Sequence, residues 1–251
     1  MLQITDHGAV RELRMDRPPV NAFNPALVRA LTAAVEQAGE ECQALVLTGR
    51  PGMFSAGLDV PELLTLDRAD MTQFWKAFFG LLATLAKCPV PVAAAITGHS
   101  PAGGAVVSLF CDYRVMSRGD FVLGLNETRV GLVVPAIIKD ALVRLTGPHR
   151  AERLIVGGEL LPPAVALEAG MVDALADDPE AAVAAALAWC EQINALPRRA
   201  MLGNRAMMRA AMCAQFDALV ASDVEQFVRG WFEDSTQRVL HELVATLKAR
   251  A

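Results

Sequence analysis

Residues 2–15 alternate polar and apolar, which predicts one or two strands joined near His7-Gly8. Asn24-Pro25 then marks a helix start, with asparagine as the cap and proline in the first turn. Behind it Leu27, Leu31, Ala34, Val35 and Ala38 fall on one helical stripe, and Gly39 lies near the expected end. Residues 44–48 (ALVLT) form a continuous apolar run, as expected of a strand covered on both faces. The turn Gly49-Arg-Pro-Gly52 follows. The pattern next predicts a helix over about 72–87, a buried strand over 90–96, a helix over 103–110 and a short strand over 113–116. This β-α-β-α-β order implies a parallel sheet with helices on its faces and right-handed crossovers.

Beyond Val134 the chain reads almost wholly helical. The expected helices are 135–146, 148–156, 162–168, 178–195, 198–212, 214–231 and 235–249, punctuated by Pro148, Pro162, Pro179 and Pro197. A short strand near 171–175 interrupts them. The Ala-rich stretch 181–188 suits a helix packed closely on its neighbours. No repeat or low-complexity linker divides the chain, so the expectation is one α/β domain with a helical C-terminal portion.

Composition narrows the class. With 251 residues, 53% hydrophobic and 20% charged, the chain is neither disordered nor fibrous. At 26.8 kDa a folded monomer should expose about 11,000 Å² and bury about 70% of its extended surface. The net charge of −5 argues against a nucleic-acid coat, which needs a basic face. Cys42, Cys88, Cys111, Cys190 and Cys213 form no C-x-x-C pair and fit no zinc spacing. Reduced thiols in a cytosolic protein are expected. The first 17 residues hold charged side chains and no apolar signal-peptide centre. Residues 88–111 carry no charge and are long enough to cross a bilayer. Pro89, Pro91, Gly98, Pro101, Gly103 and Gly104 interrupt them, so they read as a buried strand, a tight turn and a buried helix.

Three segments are candidates for chemistry. Phe54-Ser-Ala-Gly-Leu-Asp59 follows a strand and turn, and its small residues let a backbone approach a ligand. Gly98-His-Ser-Pro-Ala-Gly-Gly104 opens a helix whose first N–H groups can face an anion. It is neither a phosphate loop nor a G-x-G-x-x-G turn. Glu127 is the one acid between Asp120 and Asp140 and is surrounded by apolar residues. Such a carboxyl either turns to solvent or has its pKa raised by desolvation, which suits a general base. Each segment alone also fits a plain turn or surface position. Together, two backbone N–H groups and one embedded carboxyl can stabilise an enolate and remove an α-proton.

Three markers connect these segments to a known family: Ala56-Gly-Leu-Asp59, Pro101-Ala-Gly-Gly104 and Cys111-Asp-Tyr-Arg114. With them the chain resembles the crotonase superfamily, the enoyl-CoA hydratase/isomerase family. Gly124-Leu-Asn-Glu-Thr-Arg-Val-Gly131, Leu161-Pro-Pro-Ala-Val-Ala-Leu167, Gly170-Met-Val-Asp173 and Asp234-Ser-Thr-Gln237 resemble its mitochondrial-type enoyl-CoA isomerase branch most. The resemblance implies a ββα spiral with mostly parallel sheets over residues 1–195 and a helical trimerisation region over 196–251. It implies oxyanion-hole N–H groups on Leu58 and Gly103 and a base at Glu127. Asn126 would touch the thioester or pantetheine, and Ala56, Gly57, Leu58, Asp59 and Val60 would line the acyl-CoA groove. The implied reaction moves the double bond of a 3-enoyl-CoA to the 2-trans position in fatty-acid β-oxidation. No metal or separate cofactor is implied, since CoA belongs to the substrate. A homotrimer or dimer of trimers in a bacterial-type cytoplasm is the implied setting.

Hydratases of the family use two glutamates, and the first would fall at Val106, which cannot hold water. Glu62 and Asp112 are the alternative second acids. Other crotonase activities, hydration, decarboxylation or thioester hydrolysis, and a non-catalytic acyl-CoA-binding scaffold remain as rivals. His99 stands before the Gly pair as a pocket or structural residue. Arg198, Arg199, Arg205 and Arg209 form a helix side that reads as a solvated face, a CoA-phosphate contact or a subunit contact.

Overall fold

The computed structural model describes residues 1–219 and 221–250. Strands β1 (Leu2–His7) and β2 (Val10–Met15) form an antiparallel hairpin in register from Leu2–Met15 to His7–Val10. Strands β3 (Ala44–Thr48), β4 (Gly52–Met53), β5 (Val92–Ile96), β6 (Gly98–Pro101), β7 (Tyr113–Ser117), β8 (Leu123–Gly124) and β9 (Ala174–Ala176) follow. Among the described residues they make two sheets, β1-β2-β3-β5-β7-β9 and β4-β6-β8, parallel except for the first hairpin. This is the α/β architecture with mostly parallel sheets and a helical C-terminal portion that was expected. The accessible surface is 11340 Å², close to the value expected from mass.

Both faces of the larger sheet are covered, which explains the unbroken apolar runs. Leu45, Leu47, Ala94 and Ile96 face the main core with α1 (Pro25–Glu41). Ala44, Val46, Ala93 and Ala95 face the other way, against Ala182, Ala186 and Cys190. Alternate residues of a strand point to opposite faces, so each run feeds two cores. The small side chains of α8 (Pro179–Asn194) let it lie close to the sheet. Between these elements run α2 (Val60–Leu63), α3 (Arg68–Lys87), α4 (Gly103–Leu109), α5 (Ala136–Thr146), α6 (Pro148–Gly157) and α7 (Pro163–Glu168). The C-terminal portion is α9 (Arg198–Asp217), α10 (Ala221–Trp231) and α11 (Asp234–Arg250). The uncharged stretch 88–111 supplies β5, β6 and α4, and no helix among the described residues is long and apolar enough to cross a membrane.

Several expectations need correction. The tight turn expected after the 90–96 strand is strand β6, the middle of the second sheet. Strands of two to four residues are too short to display alternation. Helix α1 ends at Glu41, with Gly39 near its end as expected, and the missing side chain there admits Pro89, whose Cδ would lie 3.0 Å from a Cβ at Gly39. Helix α3 starts at Arg68, where Asp67 caps it by accepting from the Asp70 amide at 2.8 Å. Helix α9 runs unbroken past the expected end at 212 to Asp217, because that stretch holds no helix breaker.

Arg205 and Arg209 are also not a solvated face. Arg205 binds both oxygens of Asp112 at 2.9 Å, and Arg209 adds a third contact at 2.7 Å. Arg209 is 3% exposed and also donates to the carbonyls of Ala86 and Phe110. These side chains clamp α9 onto the ends of α3 and α4. Arg198 and Arg199 are exposed, as the plainer reading expected.

Candidate active site

The second sheet gathers the three candidate segments. Its register pairs Gly52 with Gly98, Met53 with His99, Ser100 with Leu123 and Pro101 with Gly124. Being parallel, the three strands deliver their next residues to the same edge: 54–59 from β4, Ala102-Gly103 from β6, and Leu125-Asn126-Glu127 from β8. The carboxyl ends of parallel strands are where open α/β sheets bind ligands.

The first two segments touch. Gly57 has φ of 89°, and a Cβ there would lie 3.0 Å from Ala102 Cβ and 3.1 Å from Gly103 N. Only a glycine permits both the backbone conformation and the approach. The Phe23 amide donates to Gly57 O at 2.7 Å, and the Asp59 amide donates to Phe23 O at 3.0 Å. This parallel bridge turns the Leu58 N–H away from Phe23. No acceptor among the described residues takes the Leu58 N–H or the Gly103 N–H, which is a first-turn amide of α4. Ala102, just before Gly103, sits at φ 47°, ψ −120°, a conformation costing on the order of 1–3 kcal/mol. Its amide donates to Gly124 O at 2.8 Å, which joins this loop to the segment of Glu127.

Glu127 opens a short 3₁₀ turn, Glu127–Val130. The side chain is buried and Oε2 has no hydrogen-bond partner; Asn126 Oδ1 is likewise unpartnered. Burial pushes the Glu127 carboxyl up from the ordinary 4.5 to about 7, opposed only by its own backbone N–H. The site therefore joins two free amides to a carboxyl whose pKa suits taking and returning a proton near neutral pH.

The enoyl-CoA hydratase/isomerase family matches residues 5–249. The chain belongs to this family. Human mitochondrial enoyl-CoA delta isomerase 1 is 35% identical over 248 residues, 97% of this chain and 82% of that protein. A probable enoyl-CoA hydratase of Mycobacterium avium (strain 104) is 32% identical over 197 residues, 77% of this chain and 76% of that protein. The crystal structure of human mitochondrial delta3-delta2-enoyl-CoA isomerase aligns with a TM-score of 0.94 at 34% identity, covering 99% of this chain and 98% of that one.

In this crotonase fold the remaining candidates sort by what they touch. Ala56, Leu58 and Val60 are half-buried at the loop edge, whereas Gly57 is buried against Gly103. Asp59 caps α2 through the Glu62 amide at 3.1 Å and pairs with Arg17 at 2.7 Å, so its carboxylate is engaged in the loop scaffold. Glu62 is held by Arg17 and Asn24, and Asp112 by Arg205, Arg209 and the Val92 amide. Neither is free as a second acid. Val106 is buried in α4. His99 accepts from the Val122 amide at 3.3 Å and meets Phe121 edge-on, a structural role.

The scaffold that fixes the Leu58 loop escaped the sequence reading. Ser55 Oγ donates to Asn21 O at 2.7 Å and accepts from the Gly57 amide at 3.1 Å. Asn21 Nδ2 donates to the carbonyls of Met53 and Phe54, and its Oδ1 accepts from the Arg17 amide. Ser55 and Asn21 are fully buried, and Asn21 has φ of 51°. Asparagine tolerates that conformation better than most residues, but nothing in the local sequence distinguishes it from a loop asparagine.

Proposed function

We propose that this protein isomerises 3-enoyl-CoA thioesters to 2-trans-enoyl-CoA in fatty-acid β-oxidation. The observation that carries this is Glu127: one buried carboxyl with an unpaired Oε2, titrating near 7, one hydrogen bond away from the loop of two unpaired amides. The Leu58 and Gly103 N–H groups receive the thioester oxygen. The Glu127 carboxylate takes a proton from C2, and the electron pair moves onto that oxygen as a dienolate. The protonated carboxyl then returns the proton at C4, leaving the double bond between C2 and C3. Each oxyanion donor in such a site contributes about 3–4 kcal/mol to the barrier reduction. A carboxyl near 7 is matched to both halves of the shuttle, since it is neither too weak a base nor too weak an acid.

Hydration needs a second acid to hold water. Val106 stands where the resemblance puts that acid, and Glu62 and Asp112 are engaged elsewhere. The human isomerase relatives support the same reading. Asn126, with its unpaired Oδ1, is assigned to the thioester or pantetheine, and residues 56–60 to one wall of the groove. Self-association into a homotrimer or dimer of trimers through residues 196–251 belongs to this proposal. Met207 and Met208, 67% and 73% exposed on α9, support it, as large apolar side chains left in water. The five free cysteines suit a reducing setting such as a bacterial-type cytoplasm.

One assay tests the reading. The protein is incubated separately with 3-enoyl-CoA and 2-enoyl-CoA while the conjugated-thioester absorbance is followed. Absorbance should rise with the first substrate and hold with the second. The proposal is wrong if wild type leaves 3-enoyl-CoA untouched, or if Glu127→Gln matches wild type. Loss of absorbance from 2-enoyl-CoA as the main activity would make it a hydratase.

A further inference from the structure

Helix α11 reaches both halves of the site. It packs against the Glu127 turn and against α2, the helix that follows the Leu58 loop. Helix α10 is fastened to α3, with the Phe227 and Trp75 ring centroids 4.1 Å apart. Between α10 and α11, Phe232 lies under the Arg68 guanidinium at 4.9 Å. The start of α11 is thus held from the α3 side. The motif Asp234-Ser-Thr-Gln237 lies there, and the reaction has no use for it so far.

Its third residue touches the base's own turn. Thr236 is 2% exposed, and its Oγ1 donates to Gly131 O at 2.9 Å. Gly131 closes the turn in the left-handed conformation, φ 78°. A Cβ at Gly131 would lie 3.2 Å from Thr236 Oγ1 and 3.3 Å from Thr236 Cα, so the two backbones fit only without a side chain there. The next amide, Leu132 N, donates back to Glu127 O at 2.9 Å. Glu127 Oε2 makes no hydrogen bond, and the carboxyl's one hydrogen bond comes from Glu127's own backbone N–H, so among the described residues no other element fixes the side chain at its carboxyl end. Its place is inherited from the turn.

The turn has two other side-chain ties, Thr128 Oγ1 to Ile155 O and Arg129 Nε to Gly157 O. Both start from exposed residues, where water competes for the same partners. The tie from α11 is the one that starts from a buried side chain, Thr236. We infer that Thr236 is a positioning residue, whose hydroxyl latches the Glu127 turn to α11 and so holds the base in register with the oxyanion amides. The inference rests on the isomerase reading of the site.

Two substitutions separate the hydrogen bond from the packing. Thr236→Val keeps the shape and removes the donor; Thr236→Ser keeps the donor and removes the methyl. The measurements are kcat and KM for 3-enoyl-CoA and the hydrogen-exchange rate of the Leu132 amide. For Thr236→Val, kcat should fall about tenfold with KM within about twofold, since small misplacements of a catalytic group cost rate more than binding. The Leu132 amide should exchange about tenfold faster as the turn loosens. Thr236→Ser should keep both near wild type. A purely structural threonine would lower the melting temperature and leave kcat of the folded enzyme unchanged, which overturns the proposal. So does a serine variant as impaired as the valine one. If Thr236→Val does not fold, Thr236→Ala takes its place under the same criteria. Should wild type not turn over 3-enoyl-CoA, the isomerase reading fails, and unchanged Leu132 exchange in the donor-less variant overturns the latch separately.

Discussion

The Leu58 loop and the Glu127 turn meet at one sheet edge but reach their chemistry by opposite means. Around Leu58 nearly every neighbouring polar group is paired. Phe23 bridges Gly57 and Asp59, Ser55 and Asn21 secure 53–57, and Arg17 binds Asp59 and Glu62. The free amide is what remains when its surroundings are satisfied. Around Glu127 the active group is the one left unsatisfied, and apolar burial makes its carboxyl a base near neutral pH. A backbone donor needs rigidity and close approach, so it is built from glycines and a hydrogen-bond scaffold. A side-chain base needs a shifted pKa, so it is built from desolvation and a firm attachment.

That contrast can be broken from the base side first. Glu127→Gln keeps size and removes the proton carrier, so kcat/KM for 3-enoyl-CoA should fall by about 10²–10⁴ with the fold intact by circular dichroism. On the donor side, Gly57→Ala introduces a Cβ at φ 89° and 3.1 Å from Gly103 N. Displacing one oxyanion amide should lower kcat by about 10²–10³, read in the same assay. A loss under threefold would show that the glycine contact does not set the donor geometry.

The pH dependence sharpens the difference between the halves. Activity should rise with pH and level off above about 7, as the Glu127 carboxyl loses its proton. Stability should move the other way. The folded carboxyl titrates at about 7, above its ordinary 4.5, so the folded state keeps the proton longer. That contribution is complete below about 4.5 and is lost as pH rises to 7. At about 1.4 kcal/mol per unit, the loss amounts to about 3 kcal/mol. Glu127→Gln should therefore be more stable than wild type at pH 8, and urea midpoints at pH 4.5 and 8 measure this. Equal midpoints for the two proteins at pH 8 would mean that burial does not strain the carboxylate.

The smallest effect expected is in the scaffold. Ser55→Ala leaves the Asn21 carbonyl and the Gly57 amide without their partner and should cost about 1–3 kcal/mol of stability. Thermal denaturation beside the kcat measurement shows whether the loop loosens in step with the fold.

What could be read from the chain divides along physical lines. Strands β3 and β5 of the larger sheet were legible because both faces are covered, which leaves continuous apolar runs at 44–48 and 92–96. The second sheet was not, since strands of two to four residues are too short to show a period. Gly57, Gly103 and Glu127 stood out by residue type in local context. The partners that hold them did not. Ser55 and Asn21 meet across 34 positions, Arg209 and Asp112 across 97, and Thr236 and Gly131 across 105. Alone, each is an ordinary polar residue.

The sequence by itself determined the fold class, the family resemblance and the types of group available to the site: small residues for backbone donors and one acid in apolar company. These depend on local pattern and composition, which survive in one dimension. Only the tertiary structure decided that the three segments leave one sheet edge together, that Leu58 and Gly103 keep unpaired amides, and that Glu127 is buried far enough to titrate near 7. Pairing and desolvation depend on contacts between residues distant in the chain, and no local spacing records them.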